Sequence, residues 1–424
     1  MLWKKSPSAV LATLLTIHLL AHIDRNMLLG FSPRIIKDLA INNAQYGFLA
    51  GAVWVLSFGV MAMIMGTLAD RFSRTRIIAA GILIWSVCTW ASGHAQSFEQ
   101  MAIARFFVAS GEAALVPAAV SLLAELFPEK RRGTAMGLFF MGIPLGIGCS
   151  FLLAGTLGAS HGWRDTFSML GVIGVAIAVP LSLLKEHRGQ LAPQELGAPA
   201  MQQVRTVLRL IRGHRALRFT ILGFVLTHVA FASLAFMQLW MVNERGMDAN
   251  GIATRIGTLQ LLFGTLGAVA GGMLSDRMAH RFRGGHATFI ALLVVACAPF
   301  VVACRLAPAG SALFHIGMCV AFFLPLAIYG PANAAIANMT PQNMRSTISG
   351  FTMLCINVFA LAIGTVVVGA ATDYLIAKGV TVPLTRVLLT TDALAISSAL
   401  FFALAARASC KQPAIDMPSL QTTK

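Results

Sequence analysis

Four charged side chains lie deep within long apolar runs: Asp24 and Arg25 in one, Arg105 and Glu112 in another. An ionisable group within a membrane span costs about 2.5–3.5 kcal/mol or more, so each needs a functional or a pairing reason. Arg105 and Glu112 are seven residues apart, which on a helix puts them on one face about 10 Å apart along the axis. A carboxylate at mid-span that alternates between low dielectric and water can bind and release a proton, which is the chemistry Glu112 offers. His18, His22 and Arg25 fall on one helical stripe, with Asp24 about 100° away, so Asp24 and Arg25 can meet different partners, for example Arg105 and Glu112. Arg25 needs a counter-charge, and the anionic group of a solute would supply it. Structural ion pairs that fix helix packing are the plain alternative for all four. His18 and His22 read more naturally as polar packing or cavity lining.

These residues must be positioned by helices that cross a bilayer. Of the 424 residues, 57% are hydrophobic and only 11% charged, with a mean hydropathy of +0.77. That excludes an ordinary soluble enzyme, a disordered chain and a nucleic-acid-binding domain. Runs long enough for a ~30 Å hydrocarbon core recur near 8–31, 45–69, 76–94, 98–126, 134–158, 164–184, 217–243, 255–275, 286–305, 311–338, 346–373 and 382–406. They are continuous rather than alternating, so a β-barrel is excluded and an all-α polytopic membrane protein of twelve spans is predicted. The first run continues through Asp24 and Arg25 without a small-x-small cleavage site, and is read as a span rather than a signal peptide.

An even number of spans places both termini on one side. Twenty-two of the 32 Lys and Arg then fall on that side, which accounts for most of the +16 formal charge and predicts cytoplasmic termini in a plasma membrane, bacterial inner membrane above all. The one long connection, Lys185 to Ala216, turns basic from Arg205 to Arg218 and is expected to lie on the anionic inner leaflet. The domain reading is an N-terminal six-helix bundle (1–184), a linker (185–216), a C-terminal six-helix bundle (217–406) and a tail (407–424).

Two loops repeat across that linker. Gly66-Thr67-Leu68-Ala69-Asp70-Arg71, followed by Arg74, comes after span two; Gly272-Met273-Leu274-Ser275-Asp276-Arg277 comes after span eight. This is the mark of two parallel repeats. The pattern G-x-L-[AS]-D-R resembles the signature of the major facilitator superfamily, with Ser73 standing where many members have glycine. The resemblance implies two six-helix bundles around a central cavity and alternating access. It also implies a cytoplasmic gate at Gly66, Asp70, Arg71, Arg74, Asp276 and Arg277. His22 to Leu39, Ile84-Trp85-Ser86, Gly111-Glu112-Ala113, Leu126-Phe127-Pro128 and Gly142-Ile143-Pro144-Leu145-Gly146 resemble spinster-like carriers, with the anion:cation symporters second. That likeness implies coupling and substrate roles for Asp24, Arg25 and Glu112.

The C-terminal half offers neutral candidates for a cavity wall: His228, Gln238, Gln260, Tyr329, Asn333, Asn338 and Asn357. A cavity charged on one wall and polar-apolar on the other suits an organic anion or an amphiphile. The expected function is secondary active transport coupled to a proton. Proton coupling is assigned to Glu112 and Asp24, and substrate binding to Arg25, Arg105, His22, His228, Asn333 and Asn357. Export of a lysolipid- or sphingolipid-like molecule and drug efflux are the alternatives within the carrier class; a channel or receptor is the alternative outside it. No catalytic residue, cofactor, metal site or nucleic-acid partner is expected, and the protein is expected to be a monomer whose partners are its solute and the bilayer. The cysteines form no CxxC or zinc spacing, and Gly158-Ala159-Ser160-His161-Gly162 fits G-x-S-x-G only literally, because it lies in a short loop between spans.

Overall fold

The computed structural model describes residues 6–71, 73–183, 200–341 and 344–410, with some side chains near 62–72, 129–133 and 183–206 also outside the described set. Among the described residues, twelve helices are long and apolar enough to cross a membrane. The first six are Pro7–Gly30, Asn43–Met61, Arg74–Gly93, Phe98–Leu126, Thr134–Gly155 and Leu157–Ser182. The second six are Arg215–Ala235, Ala249–Ala279, Gly285–Leu306, Ala312–Asn338, Thr347–Ala377 and Pro383–Ser409. They are numbered one to twelve below. Large apolar side chains such as Leu56, Val172, Leu262 and Leu400 remain more than half exposed. In water such a surface would aggregate, whereas in lipid it meets its own kind.

Contacts group the chain into two units. The first holds Met1–Pro193 with Ala232–Leu262 and Leu361–Val387. Its core is built on Leu14, Ile17, Ile82, Trp85, Leu122 and Phe139 from spans one, three, four and five. The C-terminal helical segments enter this unit through seams of small residues. A Cβ on Gly47 of span two would strike the backbone of Thr365 in span eleven, and one on Gly369 would strike the backbone of Asn43. Thr365 Oγ1 donates to the Gly47 carbonyl at 2.7 Å across this contact. Gly148 and Gly257 bring spans five and eight together in the same manner. Backbones that approach this closely replace the missing hydrophobic drive between helices in lipid with dispersion contacts.

Polar caps close the ends of these seams. Asp373 of span eleven accepts from Asn43 N (3.1 Å), Asn43 Nδ2 (2.7 Å) and Ala44 N (2.9 Å), covering the orphan donors at the start of span two. Glu244, beyond span seven, accepts from Leu384 N and Thr385 N at the start of span twelve. Arg34 donates to the Gly158 carbonyl and to Asn250 Oδ1, tying the short helix Ser32–Asp38 after span one to spans six and eight.

The second unit holds Gln194–Phe231, Phe263–Ala360 and Leu388–Lys424. Leu217, Phe224, Ile290, Ile328 and Phe402 form its core. Arg305 of span nine and Asp392 of span twelve pair at 2.8 Å, both almost fully buried. The linker helix Ala200–Gly213 packs Val207 into this core and leaves Arg205, Arg209 and Arg212 exposed. His214 follows it and accepts from Leu217 N at 3.1 Å; burial lowers its pKa, which keeps the imidazole neutral and able to accept.

Candidate functional site

Span four is broken at the candidate carboxylate. Its first segment, Phe98–Glu112, ends on the candidate carboxylate, and a second, Leu115–Leu126, resumes after a turn. Pro117 has no N–H for the Ala113 carbonyl, so the ladder is interrupted one residue beyond Glu112. Span two is irregular as well. A π-helical turn, Phe48–Ala52, precedes the α-helix that starts at Val53 and carries Trp54. The wider turn displaces everything after it from α-helical register, and such turns recur at functional sites.

Glu112 is buried, and its Oε2 accepts a hydrogen bond from Trp54 Nε1 at 2.8 Å. Its other oxygen, Oε1, is buried with no partner among the described residues. The guanidinium carbon of Arg25 lies 3.5 Å from the centre of the Trp54 ring, a close cation–π contact. Phe58 stacks on the same indole at 4.4 Å. Arg25 has no side-chain hydrogen bond and no carboxylate within ion-pair distance among the described residues. Span one and span four are therefore linked through an aromatic side chain of span two rather than by a direct ion pair.

Asp24 is fully buried; Thr89 of span three reaches its Oδ2 at 3.5 Å, and its Oδ1 has no partner among the described residues. Arg105 turns to the backbone: Nη1 donates to the Asp24 carbonyl at 3.1 Å and Nη2 to the Arg25 carbonyl at 2.7 Å. It clamps span four to span one just where the two candidate charges project. Ser57 Oγ, within 2.8 Å of Ser110 Oγ and 2.6 Å of the Phe106 carbonyl, clamps span two to span four one turn away.

His22 stands beside this cluster with Nδ1 buried and without a partner among the described residues, its ring 4.8 Å from that of His18. His18 stacks on Phe139 at 4.3 Å, and its Nδ1 is 2.9 Å from the Phe139 carbonyl. Within the second unit, His228 is buried with Nδ1 bonded to the Phe224 carbonyl one turn back and its ring between Phe231 and Tyr329. Asn333 Nδ2 donates to the Tyr329 carbonyl. Asn357 sits in the π-helical segment Ile356–Ile363 of span eleven and makes no side-chain hydrogen bond among the described residues. No grouping of metal-ligating side chains is present among the described residues.

Of the repeated loops, the side chains of Gly66, Asp70 and Arg71 lie outside the described set. Arg74 is buried and pairs with Glu125 at the end of span four. Ser73 accounts for its own departure from glycine: it is the N-cap of span three and accepts from Arg76 N. Asp276 and Arg277 of the second copy are exposed.

Residues 14–365 match the profile of the Major Facilitator Superfamily. The chain belongs to that superfamily. As a member it is a multi-pass secondary transporter and not an enzyme. It is 28% identical over 379 residues to an MFS-type efflux pump of Mycolicibacterium smegmatis, covering 87% of this chain and 85% of that one. It is 30% identical over 284 residues to the cis,cis-muconate transport protein of Acinetobacter baylyi, covering 63% and 67%. A crystal structure of a bacterial homologue of the human lysosomal transporter Spinster, inward-facing and unoccupied, superposes with a TM-score of 0.81. That likeness covers 96% of this chain and 98% of the homologue at 22% identity, and carries the fold.

Trp54, Thr89 and the Arg305–Asp392 pair are absent from the sequence reading. One signal for Trp54 was available. Tryptophans of membrane proteins collect at the two interfaces, and this one lies well inside a helical run that extends from Asn43 to Arg71.

Proposed function

We propose that this protein is a proton-coupled carrier of small organic anions, working by alternating access of its two six-span halves, 1–184 and 217–406. Arg25 takes the anionic group of the solute, and Glu112, assisted by Asp24, takes the proton. One observation carries this reading: among the described residues a cation inside the membrane has no carboxylate within ion-pair distance, yet beside it stands a carboxylate with an unused oxygen. A pair kept for stability would be joined, because removing either partner of a buried pair is strongly destabilising. The similarity to a muconate transport protein supports an anionic solute. Plasma-membrane location with cytoplasmic termini is part of the same proposal, resting on the Lys and Arg asymmetry.

The similarity to an efflux pump favours a second reading, the export of an amphiphilic solute. Proteoliposome uptake and counterflow with cis,cis-muconate, glucuronate and a lysophospholipid separate the two. The proposal expects saturable transport of an acid that a proton gradient drives. Arg25→Ala should raise KM by at least about tenfold, the loss of one charge-assisted contact of ~1.5–3 kcal/mol. Glu112→Gln should abolish gradient-driven accumulation and retain counterflow. Transport of the lysophospholipid alone, indifferent to Arg25, would overturn the anion reading.

A further inference from the structure

No spacing rule points to Trp54, yet it touches both groups on which the proposed function rests. We infer that Trp54 is a positioning residue that holds Arg25 and Glu112 side by side without letting them pair, so that the cation stays open to an anion and the carboxylate to a proton. This rests on the proton and anion roles proposed above and adds the device that keeps them separate.

Two opposite charges this close, out of water, attract strongly and would join if nothing stood between them. A joined pair would satisfy both and leave neither free for a solute or a proton. The indole offers each partner something else. Its face takes the guanidinium, with Cζ at 3.5 Å from the ring centre. Its N–H donates to Glu112 Oε2 at 2.8 Å. That bond survives protonation, because Oε2 accepts as one oxygen of a carboxylate and still accepts, more weakly, as the C=O oxygen of a carboxylic acid. The proton then belongs on Oε1, the buried oxygen that has no partner.

The other charged groups near the pair are spoken for or distinct. Arg105 spends both Nη atoms on the Asp24 and Arg25 carbonyls. Asp24 faces Thr89 through Oδ2. Phe58, stacked on Trp54 at 4.4 Å, and the π-turn Phe48–Ala52 fix where the indole stands.

The test needs no knowledge of the solute. Dicyclohexylcarbodiimide modifies carboxyl groups in apolar surroundings when they are protonated, and mass spectrometry of the Glu112 peptide reads the extent across pH. In the unaltered protein Glu112 should be modified. Trp54→Leu lets Arg25 close on Glu112 and should cut modification by about tenfold or more, since one pH unit of added pairing holds the proton off. Trp54→Leu combined with Arg25→Gln should restore it, a recovery that a merely structural tryptophan would not produce. Trp54→Phe keeps the ring face and loses only the N–H. The modification should then persist to higher pH by about one unit, the equivalent of one hydrogen bond to a charged group. This variant decides the matter even where Trp54→Leu fails to fold.

Modification of Trp54→Leu equal to that of the parent, or no recovery in the double variant, overturns the role of Trp54 and leaves the proposed function standing. An unmoved profile in Trp54→Phe overturns the donor role and, with it, the inference. A parent protein never modified at Glu112 overturns the proton reading and this inference with it.

Discussion

Asp373→Asn is the most informative perturbation outside the charged cluster. The Asp373 carboxylate accepts three hydrogen bonds, at 3.1, 2.7 and 2.9 Å, from Asn43 N, Asn43 Nδ2 and Ala44 N at the first turn of span two. An asparagine retains one accepting oxygen and loses the charge. Losing a charge at a helix N-terminus costs about 0.3–1 kcal/mol when exposed and up to about 2 when partly buried. Losing one hydrogen bond to a charged acceptor costs about 1.5–3 kcal/mol more. Asp373 is half-buried, so the lower end applies, about 2 kcal/mol. The glycine contacts of the seam, Gly47 on Thr365 and Gly369 on Asn43, are untouched by the substitution. About 2 kcal/mol therefore moves the ratio of closed to open seam by roughly 30-fold.

Spin labels at Lys37 and Ile376, both exposed and flanking the contact, report this ratio by electron–electron dipolar distance in a background without the seven native cysteines. The expected result is a second, longer distance population in Asp373→Asn, with counterflow changed and proton dependence retained. An unaltered distance distribution together with unaltered counterflow would refute the reasoning, because it would mean that the glycine seam alone holds the two spans.

Two further outcomes test the fold. In the second unit, Asp392→Ala should lower thermal stability by about 3–5 kcal/mol, the cost of breaking a buried ion pair, whereas Arg305→Met with Asp392→Leu should recover most of the loss; melting of the purified protein reads both, and equal melting of single and double variants would contradict the pair's role. Gly162 has φ +75° and ψ 175°, a backbone region reserved for glycine, with open space around it. Gly162→Ala should therefore cost about 1–3 kcal/mol through strain alone, seen as a lower melting temperature without loss of solute affinity.

Much of the site was visible in the linear chain. Asp24, Arg25, Arg105 and Glu112 stand out because a charge in an apolar run is costly wherever the helices go. Their division of labour was not visible. Arg105 reads as a cavity cation by its position, yet it spends its donors on two backbone carbonyls. Asp24 and Arg25 diverge as their helical angle requires, and Arg25 meets Glu112 through an indole rather than directly. The literal G-x-S-x-G of residues 158–162 falls in the helix Leu157–Leu183 rather than in a loop, with a kink at Gly162 and with Ser160 and His161 bonded to each other and to the Leu157 carbonyl, which is not the strand-to-helix elbow that motif needs. The break in span four followed from Pro117, whereas the π-turns of spans two, eight and eleven have no comparable residue to announce them.

Residue order alone makes the twelve spans, their membrane setting and the superfamily legible. The bilayer sets the length of each apolar run, and the repeat of Gly66–Arg71 at Gly272–Arg277 is written in adjacent residues. Which groups meet is set by helix packing in three dimensions. Asp373 caps Asn43 across 330 residues, and Trp54 reaches Glu112 across 58, by way of helix packing and a π-turn that shifts register. Local patterns record which face of a helix a residue occupies. They do not record which helix that face will find, because the interaction between helices in lipid depends on the fit of whole surfaces rather than on any one residue.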